Sequence, residues 1–389
     1  MHDQIAQRAT TKGTGCESGR RARGRACGAE HGAEARPRPA STECTPLARR
    51  EEKTHHCGMS TLNLAQIAVG ERVQHELIVV DRQEKTQGNG DPFVVLKLGN
   101  SSGQIDVAPI WSNQKEWADG ADRGRVVQAI GQVGVYAKTG KRQIQLTGPL
   151  RVMPDELVDL TAFLPRVSRD TTKLWDWIDR QRAELTTPAL RRLVDIFYAD
   201  DAFRLRFELT PGAVRGHHAK LGGLLLHVFE VTSIAKSTAK AMGANVDLVV
   251  AGTLLHDVGK VEAYCIEGGS FDYTTCGLLL GHVVLGILML ERRLVSAGRS
   301  PVCTPGQLVD IQHMILSHHG KLEFGSPVEP MTTEAEIVHW ADEASAKAND
   351  MMESLDEPEH FANGKEFSDK RAWRVGRRIW RRPDGTWSG

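Results

Sequence analysis

The run Leu248-Val249-Val250-Ala251-Gly252-Thr253-Leu254-Leu255-His256-Asp257-Val258-Gly259-Lys260 decides the reading of this chain. Eight uncharged residues lead directly into an imidazole and a carboxylate. A helical segment that is apolar all round is buried on every side. Burying an unpaired carboxylate at its end is costly, and coordination of a cation offsets that cost. Further histidines and aspartates stand out against apolar surroundings downstream and upstream: His227, His282, His318, His319 and Asp342. Each lies in or at the end of a different segment with helical periodicity, at about 221–242, 246–259, 278–297, 305–318 and 333–352. A helical bundle can aim all of them at one interior point. Neutral imidazole together with carboxylate suits manganese, iron, zinc, cobalt or nickel. The helix ends carry signals of their own: Asn245 as an N-cap, Thr304 followed by Pro305, and Thr333 with Glu336 as a capping box.

Working back from this domain, the period changes. Residues 60–153 alternate like strands: Val73 to Val80, Phe93 to Leu98, Gln104 to Val107, Val126 to Val135 and Gln143 to Leu146. Gly88-Asn89-Gly90-Asp91-Pro92 marks a strong turn. A short helical piece, Asn113 to Ala121, falls between the third and fourth strands. Five strands with that interruption follow the plan of an OB barrel. Residues 154–200 read as a helical linker, with two helices between Thr172 and Phe197. The helical domain spans 201–355 and a basic, tryptophan-containing tail spans 356–389. The expected architecture is therefore multidomain, an N-terminal all-β barrel followed by an all-α domain.

Composition bounds the rest. The 389 residues carry 49 basic and 49 acidic side chains, so attraction to nucleic acid must come from local patches rather than net charge. Seven cysteines, an odd number without regular spacing, do not form a disulfide framework and fit a reducing cytoplasm. Gly277 to Leu290 is the most apolar stretch; it is shorter than the roughly 20 residues a membrane span needs and it contains His282. No membrane partner and no secretory leader are expected. Residues 1–58 hold almost no large apolar side chains and read as disordered. Cys16, Cys27, Cys44, Cys57, His55 and His56 lie there in spacings that match no zinc finger. Met59, where globular-looking sequence begins, is an alternative start.

The ordered set of histidines and aspartates resembles the HD superfamily of metal-dependent phosphohydrolases. Longer stretches are similar to the YhaM-type 3′→5′ exoribonuclease family, which combines an OB fold with an HD domain. They are Gly216-His217-His218-Ala219, Gly222-Gly223-Leu224-Leu225-Leu226-His227, Leu255 to Lys260, Gly281-His282, His313 to Gly320, Glu323 to Pro327 and Trp340-Ala341-Asp342. The likeness covers about residues 60–355. Leu226 departs from it, since a polar residue is expected before the first ligand histidine.

The resemblance implies roles. His227, His256, Asp257 and Asp342 would hold one divalent ion, and Asp257 would bridge to a second held by His282 and His318, with His319 competing for that place. Manganese comes first, with cobalt, iron, magnesium, zinc or nickel as alternatives. Two such ions clamp a phosphodiester and activate water. Lys260 would face the scissile phosphate, and His217 or His218 would contact substrate or supply a proton. Asp257, Lys260, His218 and His319 are thus the candidate catalytic set. His313 and His339 read as supporting or packing residues, and neither Ser317 nor Cys265 has the neighbours of a nucleophile. In the barrel, Phe93, Lys97, Trp111, Tyr136, Lys138, Lys141 and Arg142 are the candidates for holding a single strand. The tail offers Arg371, Arg374, Arg377, Arg378, Arg381 and Arg382 beside Trp373, Trp380 and Trp387; it either binds nucleic acid or forms a helix that packs its indoles inward. The expected partner is single-stranded RNA or DNA, with self-association left open. The competing readings are a phosphohydrolase of nucleotides or cyclic dinucleotides, and a nucleic-acid-binding protein without activity.

Overall fold

The computed structural model describes residues 62–298, 302–357, 360–361, 364–383 and 386. The readings of residues 1–58 and of Met59 and Trp387 lie outside these residues.

Strand β1 (Arg72–Thr86) is long enough to serve two neighbours. Its first half, Arg72 to Ile78, runs antiparallel to β4 (Val126–Val135), and its second half, Ile78 to Thr86, to β2 (Pro92–Asn100). The register shifts between Val79 and Asp81, an irregularity of the kind that bends a strand and sharpens its twist. The bend lets β3 (Gly103–Val107) and β5 (Arg142–Leu146) close the sheet by parallel pairing of Asp106 with Gln143 and Val107 with Ile144. Alternate residues fill the interior, among them Leu77, Val79, Val94, Leu96, Leu98, Val127, Ala129, Val133 and Ile144. This is the expected five-stranded OB-type barrel, extended by a two-residue strand β6 (Arg151–Val152) against β4. β1 runs six residues past its apolar stretch because its polar outer residues remain paired with β2. The expected helical piece is a 3-10 turn over Ser112–Ala118.

The helical part comprises α1 (Thr171–Glu184), α2 (Pro188–Tyr198), α3 (Asp201–Leu209), α4 (Gly223–Met242), α5 (Val246–Leu255), α6 (Lys260–Ala263), α7 (Thr275–Ser296), α8 (Pro305–Ser317) and α9 (Thr333–Asp356). α5 is the central element: every residue from Val249 to Leu255 is buried. Asn245 caps α5 by accepting from Leu248 N, and Thr304 forms a reciprocal capping box with Gln307. The cap of α9 is Thr332, one residue earlier than the sequence pattern put it. α1 and α2 share one core with α4 and α5 through Trp175, Ile178, Leu193 and Phe197. Their apolar faces thus belong to the helical domain rather than to a free linker.

One β element interrupts the helices. Strands β7 (Tyr264–Glu267) and β8 (Ser270–Tyr273) form a hairpin between α6 and α7. The Gly268-Gly269 turn that joins them is a hairpin signal present in the sequence. The turn rests on the barrel: a Cβ on Gly124 would lie 2.5 Å from Gly268 Cα, one on Gly269 would meet Ile78, and Arg123 donates to Ser270 Oγ at 2.9 Å.

Past α9, the described residues of the tail form no α-helix. Phe367 bridges Trp380 and Ala372 bridges Arg377, folding the segment back on itself. Phe361, Ala372 and Ile379 make a small core with Met351 and Leu355 of α9. The arginines anchor it: Arg374 pairs with Glu353 and Glu357 at 3.1 and 3.2 Å, and Arg381 stacks over Phe361 at 4.0 Å while donating to Leu355 O. Trp373 remains 61% exposed and Trp380 43%. The indoles face outward and several of the arginines are engaged, the reverse of the packed-indole helix. Among the described residues no helix is long and apolar enough to cross a membrane.

Candidate metal centre

Asp257 is the hub. Its backbone leaves α5 in the turn before α6, its carboxylate is buried, and Oδ1 has no hydrogen-bond partner. Oδ2 faces His227 Nε2 at 3.3 Å, His256 Nε2 at 3.2 Å and Lys260 Nζ at 2.6 Å. Oδ1 faces His282 Nε2 at 3.3 Å and His318 Nε2 at 3.6 Å. Two groups of donors therefore flank one carboxylate. His227, His256 and Asp342 form the first, with Asp342 Oδ1 3.0 Å from His227 Nε2; His282, His318 and His319 form the second, with His282 and His319 Nε2 atoms 3.2 Å apart.

The imidazoles are oriented from behind. Nδ1 of His256, His318 and His319 lies 2.7–2.8 Å from the carbonyls of Thr253, Ile315 and Phe324. A carbonyl only accepts, so Nδ1 carries the proton and Nε2 presents its lone pair inward. His227 Nδ1 instead donates to Ser345 Oγ at 3.2 Å, and Ser345 donates to Glu230 Oε2 at 2.8 Å. Ser345 lies one turn after Asp342 on α9, and Glu230 one turn after His227 on α4, so each ligand helix brings its own support.

Close approach of α7 brings His282 in. A Cβ on Gly259 would fall 1.9 Å from His282 O and 2.4 Å from Gly286 N, both backbone atoms. Only glycine lets the α5–α6 turn and α7 meet so closely. Gly281, at φ +73°, kinks α7 one residue before His282. The helix begins at Thr275, capped by Thr274, three residues earlier than its sequence pattern indicated.

The electrostatics suit cation binding. Burial opposes the charge of Asp257, yet Lys260, His256 and His227 outweigh it and hold the carboxyl well below its usual range. Asp342 is lowered against burial by His227, His256 and His318. Burial pushes His282 down to about 3, against the pull of Asp257, and pushes His318 well below its ordinary value. These imidazoles are neutral near pH 7, as ligands must be. Lys260, despite burial, is raised by Asp257, Tyr264 and Asp342 and stays protonated. An orphaned Asp257 Oδ1, an orphaned His318 Nε2 and a mixed imidazole–carboxylate donor set fit divalent cations.

The other sequence candidates separate. His218 is buried, takes a left-handed φ of +53°, and bonds through Nε2 to Glu230 Oε2 at 3.0 Å. His217 lies 3.6 Å from Asp350, with its ring 6.1 Å from that of His227; burial, followed by the charges of Lys260 and His227, lowers it to about 3. His339 bonds to His318 O rather than to Asp342, and His313 Nε2 accepts from Met331 N. Ser317 donates to His313 O, and Cys265 is buried and not in a disulfide. Leu226 packs against the core, and the polar contact expected beside His227 comes from Glu230 instead. Glu230, Ser345 and Asn349 were missed in the sequence; the one-turn spacing from a ligand was the signal that could have found them.

On the barrel, the Phe93 and Trp111 rings pack at a tilt of 38° with centroids 5.2 Å apart, with Trp111 outside the core and Lys97 on the same outward face of β2, 4.0 Å from Asp106. Tyr136, Lys138 and Lys141 form a second exposed group on the β4–β5 turn. Arg142 leaves that group: its guanidinium donates to Ile67 O at 2.5 Å and Ala65 O at 3.0 Å, fixing the segment before β1.

Comparison with known proteins agrees with this site. The HD domain family matches residues 224–347, which hold both donor groups and Lys260. The 3′-5′ exoribonuclease YhaM of Bacillus subtilis is 32% identical over 290 residues, spanning 74% of this chain and 89% of the relative. The YhaM protein of Listeria innocua is 32% identical over 313 residues, or 79% and 94%, and that of Oceanobacillus iheyensis is 30% identical over 309 residues, or 78% and 94%. These matches take in most of the barrel-plus-helix architecture, and the chain belongs to the YhaM family of HD-domain proteins.

Proposed function

We propose that this chain is a metal-dependent 3′→5′ exonuclease of single-stranded RNA that releases nucleoside 5′-monophosphates, with DNA as a secondary substrate. One observation carries the reading: each oxygen of Asp257 faces a separate group of imidazoles, in a chain whose relatives are named exoribonucleases. His227, His256, Asp257 and Asp342 would hold one divalent ion, and Asp257, His282, His318 and His319 a second, manganese being the best match to these donors. Such ions supply Lewis acidity toward the phosphate and an activated water. Lys260 keeps its proton and offsets charge that develops on the scissile phosphate. Asp257 holds Lys260 in place at 2.6 Å. His217 is the loop histidine left to hydrogen-bond substrate, because Glu230 occupies His218. On the barrel, Phe93, Trp111 and Tyr136 stack bases, while Lys97, Lys138 and Lys141 meet phosphates upstream of the cleaved bond.

The test is degradation of 5′-labelled RNA in Mn²⁺, with a free or a chemically blocked 3′ end, alongside a nucleotide panel. The free end should yield 5′-monophosphates and the blocked strand should persist. Asp257→Ala should lower turnover by about 10³-fold or more and leave RNA binding intact. Equal degradation of both strands, or hydrolysis confined to free nucleotides, would overturn the assignment.

A further inference from the structure

A groove of about 380 Å³ lies between the tail and the loop that carries His217 and His218. Arg215, Lys220, Glu353, Trp373 and Arg374 line it, together with Gly216. Gly216 adjoins His217 in sequence, and its Cα region abuts Asp350, the partner of His217. The groove therefore lies beside the loop whose His217 ring is 6.1 Å from that of His227.

Its chemistry is specific. Three cations face one carboxylate, and that carboxylate, Glu353, is already shared by Lys220 at 2.9 Å and Arg374 at 3.1 Å. Arg215 is exposed and has no ion-pair or hydrogen-bond partner among the described residues. Trp373 is 61% exposed, with the Arg374 guanidinium 4.5 Å from its ring. A large indole held by one cation and left otherwise in solvent gains little for the fold. An aromatic platform beside a free arginine is what a flat base joined to a phosphate requires.

Building on the exonuclease reading, we infer that this groove holds a nucleotide of the RNA strand adjoining the cleaved bond, its base stacked on Trp373 and its phosphate facing Arg215. Arg374 fixes the platform through Glu353 and Glu357, and Lys220 adds a second positive charge. The tail thereby becomes part of the substrate path rather than an appendage.

Trp373→Ala, Trp373→Phe and Arg215→Ala in the full-length protein test this, since neither side chain contributes to a buried core. Two readouts are needed: steady-state hydrolysis of an RNA oligomer against bis-p-nitrophenyl phosphate, and anisotropy of labelled RNA in EDTA. Trp373→Ala should raise the KM for RNA and its Kd roughly 5- to 100-fold, with Trp373→Phe restoring most of the loss. Hydrolysis of the small diester, which lacks a base, should keep its kcat and KM. Arg215→Ala should weaken RNA binding and reduce its salt dependence by about one phosphate contact. RNA KM and Kd unchanged in both alanine variants would overturn the inference while leaving the exonuclease reading intact. A wild-type protein that leaves RNA untouched would sink that reading instead, and the EDTA binding comparison would still decide the groove: equal affinities would remove it.

Discussion

Glu230 accepts on one oxygen from His218, Ser345 and Asn349 at 2.7–3.0 Å, and so fixes the hydroxyl that in turn orients His227. Burial opposes its charge, but these donors hold the carboxyl below its ordinary value. Replacing it by glutamine removes the charge and leaves Ser345 free to turn its hydroxyl toward His227 Nδ1. Glu230→Gln should weaken metal affinity about 10- to 100-fold with the fold retained, as metal titration followed by thermal melting would detect. Unchanged affinity would make the network merely structural. The candidate ligands that the structure brings together were legible in the sequence because a histidine or aspartate is conspicuous in an apolar helix. Glu230 was not legible: a carboxylate one turn after a histidine reads as solvated until Ser345, 115 residues away, is seen beside it. The same limit applies to His217 and His218. Their spacing gives two adjacent imidazoles, and only the left-handed turn at His218 decides which of them meets Glu230.

At the scale of elements, helix limits followed local chemistry and were read to within a few residues. Asn245 and Thr304 act through hydrogen bonds that span three residues, and Pro305 through its own fixed φ, so the sequence contains all the partners. The hairpin over β7 and β8 and the folded tail were missed because their pairings depend on distant surfaces, the barrel for one and the end of α9 for the other. Contact between the α5–α6 turn and α7 is equally non-local, and the position of His282 depends on it. Gly259→Ala would drive a methyl into the backbone of His282 and Gly286. Forced overpacking of this kind costs about 1–3 kcal/mol or more, and here it must displace His282 from Asp257. The expected result is a lower melting temperature together with loss of the more weakly held metal equivalent in calorimetry. A variant that melts and binds metal like the wild type would show that α7 can slide without consequence.

For the molecule as a whole, the barrel was legible from alternation and turns, and the helical domain from period and chemistry, whereas their mutual seating was invisible. That seating depends on Gly124 against Gly268, backbone on backbone, and on Gly269 against the side chain of Ile78. Gly124→Val would add a branched side chain at φ +88° and push the hairpin off the barrel. We expect the KM for RNA to rise severalfold, on the order of one lost stacking contact, while small-diester hydrolysis stays near wild type; parallel losses in both assays would place the damage in the catalytic domain. Where Gly124 meets Gly268, peptide lies against peptide and little can be compressed between the two halves. On the proposed strand path the hairpin would act as a spacer gauge, setting a shortest strand that reaches from the barrel to the two donor groups, below which digestion should slow abruptly rather than by degrees.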